Sequence, residues 1–84
     1  DGMDGRTIAR IGVVGGGAWG TALAMTARRA GRAVTLWARE AEVVADINGA
    51  HRNAAFLPSH ALDTGIRASA ALEDLAVSDA VLLV

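Results

Sequence analysis

Gly15, Gly17 and Gly20 stand at the spacing G-x-G-x-x-G inside the stretch IGVVGGGAWGTALAM, residues 11–25. Each glycine in such a pattern has its own reason to lack a side chain. The first lets the chain turn sharply out of a strand, the second lets main-chain amides approach an anion, and the third lets a helix lie close on that strand. Amides of the helix's first turn, which Ala18 and Trp19 begin, would point at the same anion with the helix dipole behind them. The chemistry this spacing serves is the holding of a pyrophosphate, and the ligand class is a dinucleotide. A structural glycine turn is the other reading. A triphosphate-binding P-loop is excluded: Gly15 and Gly20 have the right separation, but Thr21 follows directly and the chain contains no lysine.

The fold that uses this fingerprint places an acid about twenty residues further on, at the end of its second strand, to hold the ribose of NAD. Here that corner reads Trp37-Ala38-Arg39-Glu40. A guanidinium pairs with phosphate oxygens in a fork and stacks on flat rings, so Arg39 suits the 2′-phosphate of NADP. Glu40 could hold a plain ribose instead. The corner therefore favours NADP(H), with NAD(H) the other cofactor it could take, against a bland alternative in which both residues are solvated.

These residues need strands and helices to place them. The run IARIGVV (8–14) is β-branched and almost continuously apolar, the pattern of a strand covered on both faces. WGTALAMTARRA (19–30) predicts a helix, with Gly31 to close it and Arg28 and Arg29 in the last turn, where the dipole favours cations. AVTLW (33–37) predicts a second buried strand, with Trp37 in the core, and AEVVADIN (41–48) a short helix with Gly49 beyond it. HRNAAFLPSHALDTG (51–65) reads as loop, with Pro58 as a breaker. IRAS (66–69) predicts a third strand and ALEDLAV (70–76) a brief helix capped by Ser69, with Glu73 and Asp74 near its start. DAVLLV (79–84) predicts a fourth strand.

Alternation at this spacing gives an α/β chain with a parallel sheet, and taken with the glycine fingerprint it predicts the first half of a Rossmann-type doubly wound sheet, βαβαβαβ in the order 3-2-1-4 of the dinucleotide-binding fold. In that order the third helix crosses to the other face. The fourth strand is then apolar on both sides with no helix to cover it, so the sheet looks truncated, as if the chain were the front of a larger protein.

Composition narrows the class. The chain has 84 residues, 52% hydrophobic, with a formal net charge of -1 and no cysteine. That describes one small folded module without disulfides or thiolate metal sites. No basic cluster suggests nucleic acid as a partner, and no segment suggests membrane insertion. The polar opening DGMDGRT lacks the form of a signal peptide and reads as a disordered leader over residues 1–7, with the cytoplasm as the expected compartment. His51 and His60 lie nine apart with no carboxylate at ligand spacing, so they read as solvated loop residues and no metal site is expected. Trp19 would either wall the cofactor cleft or pack on the neighbouring loop. Phe56 and Leu57 read as a plug on the core.

The combination of GGGAWGTALA, VTLWARE, NAAFLP and LEDLAVSDAVLLV resembles the N-terminal part of the NAD(P)-dependent glycerol-3-phosphate dehydrogenases of bacterial type, from about Ile11 to Val84. The resemblance implies reversible reduction of dihydroxyacetone phosphate to sn-glycerol 3-phosphate, feeding phospholipid synthesis, by a parent enzyme whose partners are the dinucleotide, a small phosphorylated substrate and, in a homodimer, a second copy. It implies cofactor contacts at Gly15, Gly17, Trp19, Gly20, Arg39 and Phe56, to which the first-turn amides add Ala18. It also implies that residues 8–84 are a partial NAD(P)-binding domain, and that the catalytic lysines and a helical substrate domain lie downstream of Val84. Gly16 stands where alanine or serine is commoner in the family, a swap expected to be harmless. Within the same class, a 6-phosphogluconate- or ketopantoate-type reductase would open similarly. From a different class, a non-catalytic nucleotide-binding module would carry the same glycines.

Overall fold

The structure is a computed structural model and describes residues 8–84; the leader expected at residues 1–7 lies outside the described residues. Four strands form one parallel sheet: β1 (Arg10–Val14), β2 (Ala33–Trp37), β5 (Ile66–Ser69) and β6 (Ala80–Leu83), in the spatial order β5-β2-β1-β6. Counting only these parallel strands along the chain, that is the expected 3-2-1-4. β1 is central, with Val13 opposite Leu36 of β2 and Leu82 of β6. Helices α1 (Ala18–Arg29) and α2 (Ala41–Ala50) pack on the sheet, α1 against β1 and β2 and α2 against β5.

Apolar side chains between helices and sheet make the core. Val13, Leu36, Val43, Ile47 and Ile66 are fully buried there, joined by Ala24, Val34 and Ala38. Each large aliphatic removed from water contributes about 1.5–3 kcal/mol, and this layer holds the sheet flat against the helices. Side chains alternate across a strand, so Gly12 faces away from Ile11 and Val13. The buried Leu75 fills that opposite face: a Cβ on Gly12 would stand 2.9 Å from its Cγ. Leu75 belongs to a 3-10 helix (Leu72–Leu75), which therefore sits across the sheet from α1 and α2, as the order requires.

α1 ends as its sequence demands. Gly31 takes φ +85, and the amides of Gly31 and Arg32 return to the carbonyls of Arg28 and Ala27, closing the last turn. α2 departs from expectation. It runs through Gly49 to Ala50, and His51 supplies the left-handed residue at φ 54 in place of glycine. His51 is half-buried, and its Nδ1 has no hydrogen-bond partner among the described residues, so it is not a solvated loop residue. His60 is exposed.

Residues 51–65 also depart from the loop reading. Arg52–Asn53 (β3) and Leu57–Ala61 (β4) pair antiparallel as a small hairpin. Pro58 fits inside β4 because a strand with a free edge can spare one N–H. Asp46 anchors the hairpin to α2, accepting from Arg52 Nε at 2.8 Å and from the Ala54 amide at 2.8 Å. The expected helix at 70–76 is shorter and tighter. Its cap position is Ala71, while Ser69 Oγ accepts from the Ala71 amide and donates to Asp74 Oδ2 at 2.6 Å. A side chain that bonds its own neighbours in this way competes with α-helical continuation.

Both sheet edges expose backbone, and they are treated differently. On β5 the Asn48 side chain of α2 donates to the Ala68 carbonyl at 2.9 Å and accepts from the Ala68 amide at 2.8 Å, standing in for another strand. Among the described residues β6 has no such cover, and Val81, Leu82, Leu83 and Val84 are all exposed. Its start is fixed by Asp79, whose Oδ2 accepts from the amides of Ala9 and Arg10 at 2.9 and 2.8 Å. Those two bonds hold the Asp79 carboxyl below the ordinary carboxylate value of 3.8. A carboxyl with a depressed folded pKa stabilises the fold above its unfolded value, and that contribution is lost as pH falls through the folded one. Urea unfolding of wild type and Asp79→Asn should therefore differ most at neutral pH, with wild type the more stable. The gap should close on acidification below 3.8, and a gap indifferent to pH would place the effect elsewhere.

Candidate functional site

The site forms where β1 meets α1. Gly15 leaves the strand at φ +132, a conformation that side chains resist, and its amide donates to the Trp37 carbonyl at 2.9 Å. Gly17 is the cap of α1 and contributes no side-chain hydrogen bond to it. The first helical bond runs from the Thr21 amide to the Gly17 carbonyl at 3.0 Å. The amides of Gly16 and Gly17 have no hydrogen-bond partner among the described residues. No acidic residue occupies the first turn of α1, so the positive end of the helix is electrostatically open.

The consecutive glycines and Gly20 divide into structural and chemical positions. A Cβ on Gly20 would overlap the Gly15 carbonyl oxygen, so bareness at residue 20 is what lets α1 lie against the end of β1. A Cβ on Gly16 would stand 2.6 Å from the Ala38 Cβ and 3.3 Å from Val43 Cγ1. Ala38 is fully buried and cannot step aside, so in this chain glycine at 16 goes with alanine at 38. At Gly17 nothing lies within 4 Å of the same position. A side chain there would meet no protein atom, only the space an anion would use.

A cavity of about 240 Å3 opens over this loop, lined by Gly15, Gly16, Gly17, Trp37, Arg39, Glu40 and Phe56. It brings together Gly15, Gly17, Arg39 and Phe56 of the sequence-derived residues. Gly20 is buried behind it, and Ala18 and Trp19 stand on the solvent side at the helix start, Trp19 79% exposed. Trp19 thus does not pack on the neighbouring loop. Phe56 is 43% exposed and lines the cavity instead of plugging the core. Trp37 is half-buried, with Nε1 donating to the Ala70 carbonyl at 2.9 Å, so its ring forms cavity wall, not core. The Arg39 guanidinium lies 4.0 Å from the Glu40 carboxylate, with side-chain exposures of 84% and 34%. At that distance and exposure the pair is weak, leaving the cation available to an incoming anion.

The hairpin brings Asn53, given no role from sequence, directly beneath the loop. Asn53 is fully buried; its Nδ2 donates to the Gly16 carbonyl at 2.8 Å and to Thr21 Oγ1 at 2.9 Å, and its Oδ1 accepts from the Phe56 amide at 3.3 Å. Thr21 is equally buried. Only the Asn-x-x-Phe-Leu-Pro spacing hinted at this arrangement. A larger hollow of about 580 Å3 lies between α2 and the hairpin turn, against Glu42, Asp46, Gly49 and Ala54, with no cation in its lining. Its charges would repel a phosphate. Among the described residues no three potential metal ligands converge, and no helix is long and apolar enough to cross a membrane.

A parallel sheet in this order, a bare glycine loop opening a helix and a cation at the end of the second strand define a dinucleotide-binding half-fold. Residues 10–84 match the family described as NAD-dependent glycerol-3-phosphate dehydrogenase N-terminus, and the chain belongs to that family. A glycerol-3-phosphate dehydrogenase of Paramagnetospirillum magneticum, with NAD(P)+ in its name, is 64% identical over 75 residues, 89% of this chain and 27% of the relative. Its namesake in Caulobacter vibrioides is 60% identical over 78 residues, 93% of this chain and 24% of the relative. The solved glycerol-3-phosphate dehydrogenase of Coxiella burnetii superposes with a TM-score of 0.81 at 30% identity, over 90% of this chain and 24% of that one. The chain thus spans about a quarter of the length of the relatives it matches.

The glycine positions predict separable effects. Gly20→Ala and Gly16→Ala should each lower unfolding free energy by about 1–3 kcal/mol, the usual cost of overpacking. Gly17→Ala, which meets no protein atom and loses only a favoured cap residue, should cost less, about 0.5–1 kcal/mol. Denaturant titration of the three variants checks the order, and equal losses at all three positions would contradict it.

Proposed function

We propose that residues 8–84 are the cofactor-binding part of a glycerol-3-phosphate dehydrogenase that reduces dihydroxyacetone phosphate to sn-glycerol 3-phosphate for phospholipid synthesis in the cytoplasm. The observation that carries this reading is the glycine loop: unpartnered amides at Gly16 and Gly17, open space where a Gly17 side chain would be, and an uncapped helix start. A pyrophosphate fits that cradle, held by the amides of Gly17, Ala18, Trp19 and Gly20. Arg39 takes the adenosine end and Phe56 closes the cavity from the hairpin side. When bound, the reduced nicotinamide supplies a hydride. The chain's own residues bind and orient. With no lysine in the sequence, the group that protonates the carbonyl and the clamp on the substrate phosphate belong to the rest of the enzyme.

Arg39 supports NADP(H) as the preferred cofactor, since it lines the cavity and its long, exposed pairing with Glu40 is weak. The half-buried Glu40 carboxylate in the same lining supports a second reading, NAD(H) held through its ribose. The two are separated by Arg39→Gln in the complete enzyme. Loss of an exposed charge-assisted contact should weaken NADPH by about 1.5 kcal/mol, roughly tenfold, and leave NADH nearly unchanged. Fluorescence titration with both cofactors measures this, and equal losses would remove Arg39 from the 2′-phosphate.

A further inference from the structure

The Asn53 side chain does more than fill space. Both of its amide hydrogens and its oxygen are engaged, and its partners belong to the glycine loop, to α1 and to the hairpin that carries Phe56. The bond to the Gly16 carbonyl has a geometric corollary. No cis peptide occurs among the described residues. In a planar trans peptide the C=O and the following N–H point in opposite directions. Holding the Gly16 oxygen down toward the hairpin therefore turns the Gly17 N–H the other way. Gly17 lines the cavity, and its amide has no partner among the described residues.

We infer that Asn53 is a positioning residue for cofactor binding: it fixes the Gly16–Gly17 peptide so that the Gly17 amide faces the pyrophosphate, and couples that orientation to the placement of Phe56. The inference rests on the dinucleotide reading proposed above. Gly16 has no side chain to stiffen its backbone, and its neighbours in the loop are glycines too. Without an external grip this peptide could rotate and present its carbonyl oxygen to the ligand, which would repel a phosphate. Thr21 Oγ1 approaches the same carbonyl only at 3.5 Å, too far to hold it alone.

The test uses the complete protein that carries this chain, with NADP+ as the probe, and reads the ratio of variant to wild-type dissociation constants at each pH. Asn53→Asp keeps the shape, but an ionised carboxylate accepts only, and would face the Gly16 oxygen without a proton between them. The ratio should be about tenfold or more near pH 8. Burial and neighbouring acceptors raise the pKa of such a carboxyl, so it regains a proton to donate as pH falls toward about 5.5, and the ratio should drop toward one. Asn53→Leu, which has no proton to donate at any pH, should show a similar loss that pH does not relieve. A merely structural role would not produce that contrast. If Asn53→Asp does not fold near pH 8, Asn53→Leu decides: folded with about tenfold weaker binding it supports the inference, and folded with wild-type affinity it overturns it. A ratio near one throughout, or an Asn53→Asp loss that ignores pH, also overturns it. If wild type itself binds neither NADP+ nor NAD+, the dinucleotide reading falls and takes this one with it. If wild type binds and the variants bind alike, only the role of Asn53 falls.

Discussion

Everything around the site depends on how closely the backbone of α1 approaches the end of β1. The Gly15 carbonyl oxygen lies where a Gly20 side chain would begin, so helix and strand touch main chain to main chain. That contact fixes the direction of the helix axis, and the axis aims the uncapped first turn across the sheet end. It also determines which amides remain free. A methyl group at residue 20 would push the helix off the strand end and move its uncapped first turn away from the glycine loop.

Polar groups inside the molecule are organised around this contact. The core between the helices and the sheet is aliphatic and carries the bulk of the stabilisation. Asn53 and Thr21 are the buried polar residues in the described chain, and both sit under the glycine loop. Burying an amide is costly unless every hydrogen bond is made, and here they are made. Elsewhere, polar side chains hold down the periphery. Asp63 accepts from Arg28 Nε at 3.0 Å and from the Gly65 amide at 2.7 Å, Asp46 ties the hairpin to α2, and Asn48 covers the edge of β5.

Much of this was legible in the sequence, for identifiable reasons. The strands and α1 announced themselves because continuous branched apolar runs and an alanine-rich segment closed by glycine leave few alternatives. The parallel sheet followed from the alternation, and the strand order from the fold that uses the glycine fingerprint. The roles of Gly15 and Gly20 followed from their spacing. What was not legible depended on partners distant in the chain. The hairpin at 52–61 is held by Asp46 and Asn53, and beyond the Asn-x-x-Phe-Leu-Pro spacing no local pattern marks it, so Pro58 argued misleadingly for a loop. Gly49 looked like a helix end, but Asn48 and Asp46 are both bonded to other elements and carry the helix past it to His51. Trp37 was expected in the core because it ends an apolar strand, and its ring instead faces the cavity. Asn53 had no visible role because its partners lie 32 and 37 residues away.

The packing of Gly16 against Ala38 links two positions that no functional reasoning would pair. One belongs to the loop, the other to the turn out of the second strand, and between them there is room for a single methyl. Their identities are therefore not free to drift separately: a chain that gains alanine at the first should have glycine at the second. One methyl group, carried by the second corner, is all that the contact between them admits.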